Sequence, residues 1–347
     1  MFASGGESWA WGLLGWASLK WTLVFLSIPA LVIAASLLAG CPPSMAYPVK
    51  ISLLVFLHLF TQSFILVRMA LSPVASFFSS STPPSDILVS KNKVVAPRVS
   101  PATLSKVLRG EPRSFSFNGC SWLMSFHLGV ATALVDALGW EGVSRLHFCG
   151  SSCGSLVAAA LACRVDMKQM RTFVFDMLEV ALVRFMGPVG TMTAFVKGGL
   201  VTMVPPNAHE LASGRLTVAY TSLQPTPKGV RETTWRSKED LVNCCLASCY
   251  IPVYYEEPIE YAGCVCVDAG LTDNQPVTSL DTVTVSPFST DDAVIKPTQA
   301  YPTSFSLVPG SRADMEAIYW DGYTAAVAFM ASEGWLSDSD SFDLVDS

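Results

Sequence analysis

The sequence predicts an α/β domain preceded by a membrane-embedded helical hairpin, and three observations carry that expectation. Two long uncharged runs lie early in the chain, between Trp21 and Ala39 and between Ile51 and Val67. Further on, short β-like stretches alternate with helix-like ones, the pattern of a layered α/β domain. A Gly-x-Ser-x-Gly, Gly150 to Gly154, falls where one such strand gives way to a helix.

Composition agrees with a chain partly in lipid. Of 347 residues 51% are hydrophobic and 14% charged, against roughly 25% charged in an average soluble domain. A net charge of −6 argues against a nucleic-acid partner and does not oppose neutral lipid. The ten cysteines are scattered through apolar runs in a chain too long to need staples, so they read as reduced thiols. None of Asn92, Asn118, Asn207, Asn243 and Asn274 begins a glycosylation sequon, which fits a cytosolic face.

The first apolar run is long enough at ~1.5 Å per residue to cross most of a bilayer. Pro29 would kink it, and Trp9, Trp11, Trp16 and Trp21 would form an aromatic belt. The second run includes His58 and lies between Lys50 and Arg68. The turn between them, Cys41 to Lys50, carries one charge, so it can either cross a bilayer or stay embedded. Both ends then share a side, and Arg68, Lys91, Lys93 and Arg98 favour the cytosol for the remainder of the chain. The expected organisation is a hydrophobic anchor over 1–71, a Ser/Pro-rich linker over 72–113, a catalytic domain over 114–331 and an acidic, disordered tail over 332–347.

Within the domain the β-like stretches are Phe115 to Phe117, Arg145 to Cys149, Leu216 to Thr221 and Cys264 to Val267. Trp122 to Leu138, Gly154 to Cys163 and Glu239 to Ala247 are helix-like. Around Ser152, the flanking Gly150 and Gly154 let the chain turn sharply so that the hydroxyl projects from the strand end. The next helix offers free N–H groups and positive potential. A turn of small residues is the plainer alternative.

A nucleophilic serine needs a base. His127, His147 and His209 all precede Asp268, so the α/β-hydrolase order of serine, acid, histidine cannot be met with Asp268 as the acid. His209-Glu210 starts like a zinc-binding helix, but Ser213 stands where the second ligand belongs, so no metal is expected. His127 and His209 read as structural. Asp268, after the alternating Cys264-Val265-Cys266-Val267, sits at a strand end beside a tight turn. A carboxylate of pKa ~3.9 is a weak base in water, but in a dry cleft its proton affinity rises; a turn-capping aspartate is the alternative. Finally, Asn118-Gly119-Cys120-Ser121 ends a strand and opens a helix. The backbone N–H groups of Gly119, Cys120 and Ser121 can form an oxyanion nest, where each donor is typically worth ~3–4 kcal/mol; a helix-start turn is the alternative.

Taken together, these residues resemble the patatin-like phospholipase family, and within it the adipose triglyceride lipase and adiponutrin branch. The likeness runs from Phe115 to about Met330. It includes Phe117 to Leu123, the Gly150 to Gly154 elbow, Asn207 to Leu216, Ser248 to Tyr254, Asp268 to Pro276, Thr284 to Ser289 and Gly322-Tyr323. Ser121, Met124 and Ala269 stand where the branch usually has glycine. The resemblance implies a patatin-like three-layer α/β/α sandwich and a Ser152–Asp268 dyad that works without histidine, metal or cofactor. It also implies action on neutral acylglycerols at a membrane or lipid-droplet surface; with the basic residues after the second apolar run, the expected placement is an endoplasmic-reticulum membrane or lipid droplet, with the catalytic domain facing the cytosol and neutral lipid or phospholipid as substrate. An acylglycerol lipase is the leading expectation. A phospholipase A, a transacylase and a catalytically silent lipid-droplet scaffold are the alternatives.

Overall fold

The computed structural model describes residues 113–184 and 187–336. The expected hairpin over 1–71, the linker up to 112 and the tail beyond 336 lie outside the described residues. Those residues hold one sheet of seven strands: β1 (Ser114–Phe117), β2 (His147–Ser151), β3 (Leu216–Ser222), β4 (Lys228–Glu232), β5 (Ile259–Tyr261), β6 (Cys264–Val267) and β7 (Val283–Val285). The order is β5-β6-β3-β2-β1-β7, with β4 also on β3. The pairs β3–β2, β2–β1 and β1–β7 are parallel, and β4, β5 and β6 pair antiparallel. The helices are α1 (Met124–Val143), α2 (Cys153–Ala162), α3 (Met167–Val183), α4 (Met192–Met203), α5 (Ala208–Ala212), α6 (Lys238–Cys249) and α7 (Arg312–Ser332).

Strand register sorts side chains onto two faces of different chemistry. Phe115 pairs with Phe148, Phe148 with Leu216, and Phe117 lies two residues on from Phe115, so one face is aromatic and aliphatic. Helices pack on that side. Phe115 meets Phe329 of α7 edge-on at 6.2 Å, and Phe117 meets His127 of α1 at 5.3 Å. α1 and α7 touch backbone to backbone: a Cβ at Gly129 would stand 1.9 Å from the Tyr319 carbonyl oxygen, and one at Gly322 2.1 Å from that of Phe126. The helical stretch Ser121–Val143 is apolar and long enough to cross a membrane, but 83% of its most apolar window is buried inside the domain, so here it serves as core.

The other face carries Ser114, Ser116, Cys149 and Ser151, all of them buried. Buried hydroxyls need partners, and a coil supplies them to Ser114 and Ser116. Ser114 Oγ lies 2.9 Å from Thr278 Oγ1, and Gln275 Nε2 donates to the Ser116 carbonyl at 2.9 Å and to its Oγ at 2.7 Å. Among the described residues, this face over β1 and β2 is covered by the segment 274–282, which supplies hydrogen-bonding groups. A correction concerns the tail. Trp335 is 5% exposed and packs against Phe115 and Phe329. Arg113 pairs with Glu333 at 2.5 Å, so ordered structure runs past Ser332.

The two edges of β3 set up the site. β4 occupies one of them over Val218–Ser222, which leaves the opposite edge to both β2 and β6. β2 takes that edge up to Ser151, opposite Ala219. β6 takes it at Thr221 and Ser222, with Val267 opposite Thr221. Ser152 and Asp268, the residues directly after β2 and β6, consequently meet where the two strands run toward each other.

Candidate active site

The strain of the elbow falls on the serine itself. Ser152 has φ 52° and ψ −132°, a region that costs a non-glycine residue of order 1–3 kcal/mol. The glycines serve a different purpose, close approach: a Cβ at Gly150 would lie 2.4 Å from the Gly154 carbonyl oxygen, and one at Gly154 2.2 Å from that of Phe117. Three hydrogen bonds hold the turn. Ser152 N–H donates to Ser248 Oγ at 2.8 Å, Ser155 Oγ donates to the Ser152 carbonyl at 2.6 Å, and Ser155 N–H donates to the same carbonyl at 2.8 Å.

Ser152 Oγ donates to Asp268 Oδ2 at 2.5 Å. The other carboxylate oxygen accepts from Gly270 N–H at 2.7 Å. Asp268 is fixed through its backbone as well, its N–H donating to the Tyr250 carbonyl at 2.8 Å and its carbonyl accepting from Thr221 Oγ1 at 3.0 Å. Burial pushes its carboxyl up from 3.8 to about 6, against the opposing pull of the Ser152 and Gly270 hydrogen bonds. Among the described residues, the partners of Ser152 Oγ and of the Asp268 carboxylate include no histidine. His127 is fully buried and its Nε2 bonds to the Asn118 carbonyl at 3.0 Å and Asn118 Oδ1 at 3.1 Å. Burial lowers its pKa to about 4, against the pull of the Asn118 bond, so it braces the loop after β1 as a neutral ring.

That loop lies directly against the nucleophile: a Cβ at Gly119 would come 3.1 Å from Ser152 Cβ and 2.5 Å from Asn274 Oδ1. Of its N–H groups, that of Gly119 donates to the Asn274 carbonyl at 3.1 Å, and that of Cys120 reaches Cys153 Sγ at 3.3 Å. The Gly119 donor is thus occupied within the protein. Ser121 has φ 52°, and α2 starts beside it without a side-chain cap, so the first N–H groups of that helix add positive potential at Ser152.

A cleft reaches Ser152 and Ser121, and predominantly apolar walls around a few polar groups are usual for a small-molecule site. Its walls are apolar and rich in methionine, with Met170 and Met177 from α3, Met192 and Met203 from α4, and Met124 at the start of α1. Unbranched thioether side chains adapt to the shape of an apolar guest.

Residues 115–281 match the family model described as patatin-like phospholipase. Over 250 residues the chain is 31% identical to patatin-like phospholipase domain-containing protein 4 of Homo sapiens, covering 64% of this chain and 98% of that protein. The chain belongs to the patatin-like phospholipase family. Two further relatives of this family share smaller parts of their length with it. Omega-hydroxyceramide transacylase of Mus musculus is 28% identical over 256 residues, 65% of this chain and 42% of that protein. The 1-acylglycerol-3-phosphate O-acyltransferase PNPLA3 of Homo sapiens is 31% identical over 181 residues, 50% and 37% respectively. The chain spans less than half the length of these two.

Of the residues singled out in this patatin-like sequence, Gly150, Ser152, Gly154 and Asp268 converge, and Gly119, Cys120 and Ser121 border them. Ser248 and Asn274 were not assigned a role from sequence. Ser248 accepts one hydrogen bond from the Ser152 N–H and Asn274 makes two with the Gly119 backbone, contacts across the fold that leave no local pattern to read.

Proposed function

We propose that this chain is a lipid acyl hydrolase that cleaves ester bonds of acylglycerols through an acyl-serine on Ser152. The observation that carries this reading is the 2.5 Å contact of Ser152 Oγ with Asp268 Oδ2 at the end of an apolar cleft. Asp268 takes the hydroxyl proton as Oγ attacks the ester carbonyl, and the oxyanion forms against the Ser121 N–H and those at the start of α2. On collapse the ester C–O bond breaks, the leaving alcohol takes the proton from Asp268, and the acyl group stays on Ser152. Water repeats the sequence: its proton goes to Asp268, its oxygen attacks the acyl carbon, and Ser152 leaves reprotonated as the fatty acid departs. A base with pKa about 6 is ionised at neutral pH yet retains useful proton affinity.

A transacylase is the second reading. The acyl-serine can be taken by any hydroxyl that reaches it, and the methionine-rich cleft admits lipid more readily than water. The relatives named for transacylase and acyltransferase activity support this alternative. The apolar runs early in the chain lead us to place the enzyme on an endoplasmic-reticulum or lipid-droplet surface with its catalytic domain in the cytosol. The deciding experiment is release of fatty acid from triolein, diolein and phosphatidylcholine by the purified full-length protein and its Ser152→Ala variant, with and without an added acylglycerol acceptor. We expect release from at least one ester, lost in the variant, and fluorophosphonate labelling of Ser152. Equal activity of the variant, or release from none of the three without transfer to the acceptor, would overturn the proposal.

A further inference from the structure

Two thiols face each other beside the candidate nucleophile. Cys120 lies in the loop after β1 and Cys153 is the first residue of α2, and their Sγ atoms are 3.4 Å apart. The Cys120 N–H points at Cys153 Sγ, at 3.3 Å, so loop and helix are already in register through these two residues. Both residues are 5% exposed, and Cys153 forms part of the cleft wall, the side from which an oxidant would approach. A disulfide needs a sulfur separation of about 2.05 Å, so closure asks for a combined approach of roughly 1.4 Å.

We propose that Cys120 and Cys153 form a site of reversible oxidation, which a hydroperoxide entering the cleft converts to a disulfide that stops acyl transfer at Ser152. The Cys153 sulfur attacks the terminal peroxide oxygen and the O–O bond breaks. The departing oxygen takes the thiol proton to leave as an alcohol, or as water from hydrogen peroxide, and Cys153 becomes a sulfenic acid. The Cys120 sulfur then attacks Cys153, the S–O bond breaks, and the hydroxide leaves with the Cys120 proton as water. Two thiols and one hydroperoxide give one disulfide, one alcohol and one water, with two electrons passing from sulfur to the O–O bond. Burial holds Cys120 as a thiol, and its contact with Cys153 adds to this, so Cys120 reacts second, once an electrophilic sulfur stands beside it.

Closing the bridge draws the Cys120–Ser121 turn toward α2. The turn has little slack, since Ser121 already takes φ 52°, and the Ser121 N–H is among those placed around the oxyanion. Displacement of about 1 Å at such a site costs on the order of 10²-fold in rate. This consequence rests on the acyl-transfer reading; formation of the disulfide does not.

The test uses full-length protein treated with hydrogen peroxide in one arm and a fatty-acid hydroperoxide in the other, followed by alkylation and mass spectrometry of unreduced peptides. The expected result, in either arm, is a peptide pair joined through Cys120 and Cys153, with turnover reduced about tenfold or more and restored by dithiothreitol. Cys120→Ser and Cys153→Ser, each compared with its own untreated activity, should lose the dithiothreitol-reversible part. The proposal is overturned if both cysteines remain alkylatable in both arms, if they pair with other cysteines instead, or if the bridge forms while turnover is unchanged. Because the peptide measurement needs no lipid substrate, absence of hydrolysis would count against the acyl-transfer reading and leave the thiol test standing.

Discussion

Replacing Asp268 by asparagine should destroy turnover and at the same time stabilise the fold. The carboxyl's pKa is about 6 in the folded protein against 3.8 for the unperturbed group, chiefly through burial. The folded state therefore binds the proton more tightly than the unfolded one. The stability this contributes is complete below about pH 4 and is lost as pH rises through about 6. A shift of roughly two units corresponds to about 3 kcal/mol for a fully enclosed group. Asp268 is partly open to solvent, and exchanging two hydrogen bonds to a charge for bonds to an amide costs about 1 kcal/mol. We therefore expect Asp268→Asn to be more stable than the parent by about 1–2 kcal/mol at pH 8, or roughly 2–8 °C in Tm for a domain of this size. The gap should close near pH 4. Hydrolysis should fall by about 10²- to 10⁴-fold, the usual loss for a general base. In the parent, kcat/KM should rise with pH through about 6. Thermal melts at pH 4 and 8, paired with a pH–rate profile, read both halves. A variant no more stable than the parent at pH 8, or a gap independent of pH, would refute the argument that burial raises this carboxyl.

Two other substitutions probe the backbone around the same site. Ser121→Gly should keep or raise turnover and stabilise the domain by about 1 kcal/mol, because glycine meets no penalty at φ 52°; a large loss of activity at unchanged Tm would mean that the Ser121 hydroxyl itself is needed. Gly154→Ala should destabilise by more than about 3 kcal/mol, since the new Cβ would lie 2.2 Å from the Phe117 carbonyl oxygen and 2.5 Å from that of Asn118, both backbone atoms of the adjoining strand and loop. A Tm within about 2 °C of the parent would contradict that packing.

The sequence by itself determined what is contiguous. The elbow is five consecutive residues between an apolar strand and a helix, the alternation of Cys264 to Val267 marks a strand that delivers Asp268 at its end, and Asn118 to Ser121 sits at the matching end of the first strand. Histidine order removed the usual triad with Asp268 as its acid. These features are local, and local propensity and periodicity suffice to read them. Strands of three residues, such as β5 and β7, are too short to show a period and were not legible.

Tertiary structure decided whatever depends on residues far apart in the chain. Ser152 and Asp268 are 116 residues apart, and they touch because β2 and β6 share one edge of β3, a matter of register that no segment encodes alone. The methionine wall depends on how α3 and α4 fold over the site, and the burial of Trp335 on its docking against Phe115 and Phe329. Even within the motif, the division of labour was tertiary. The glycines are demanded by atoms of a neighbouring strand and of the adjoining helix, while the strained φ falls on Ser152. Likewise the Gly119 N–H, an oxyanion donor by sequence, donates to the Asn274 carbonyl, because a backbone donor goes to whichever acceptor the fold brings within about 3 Å.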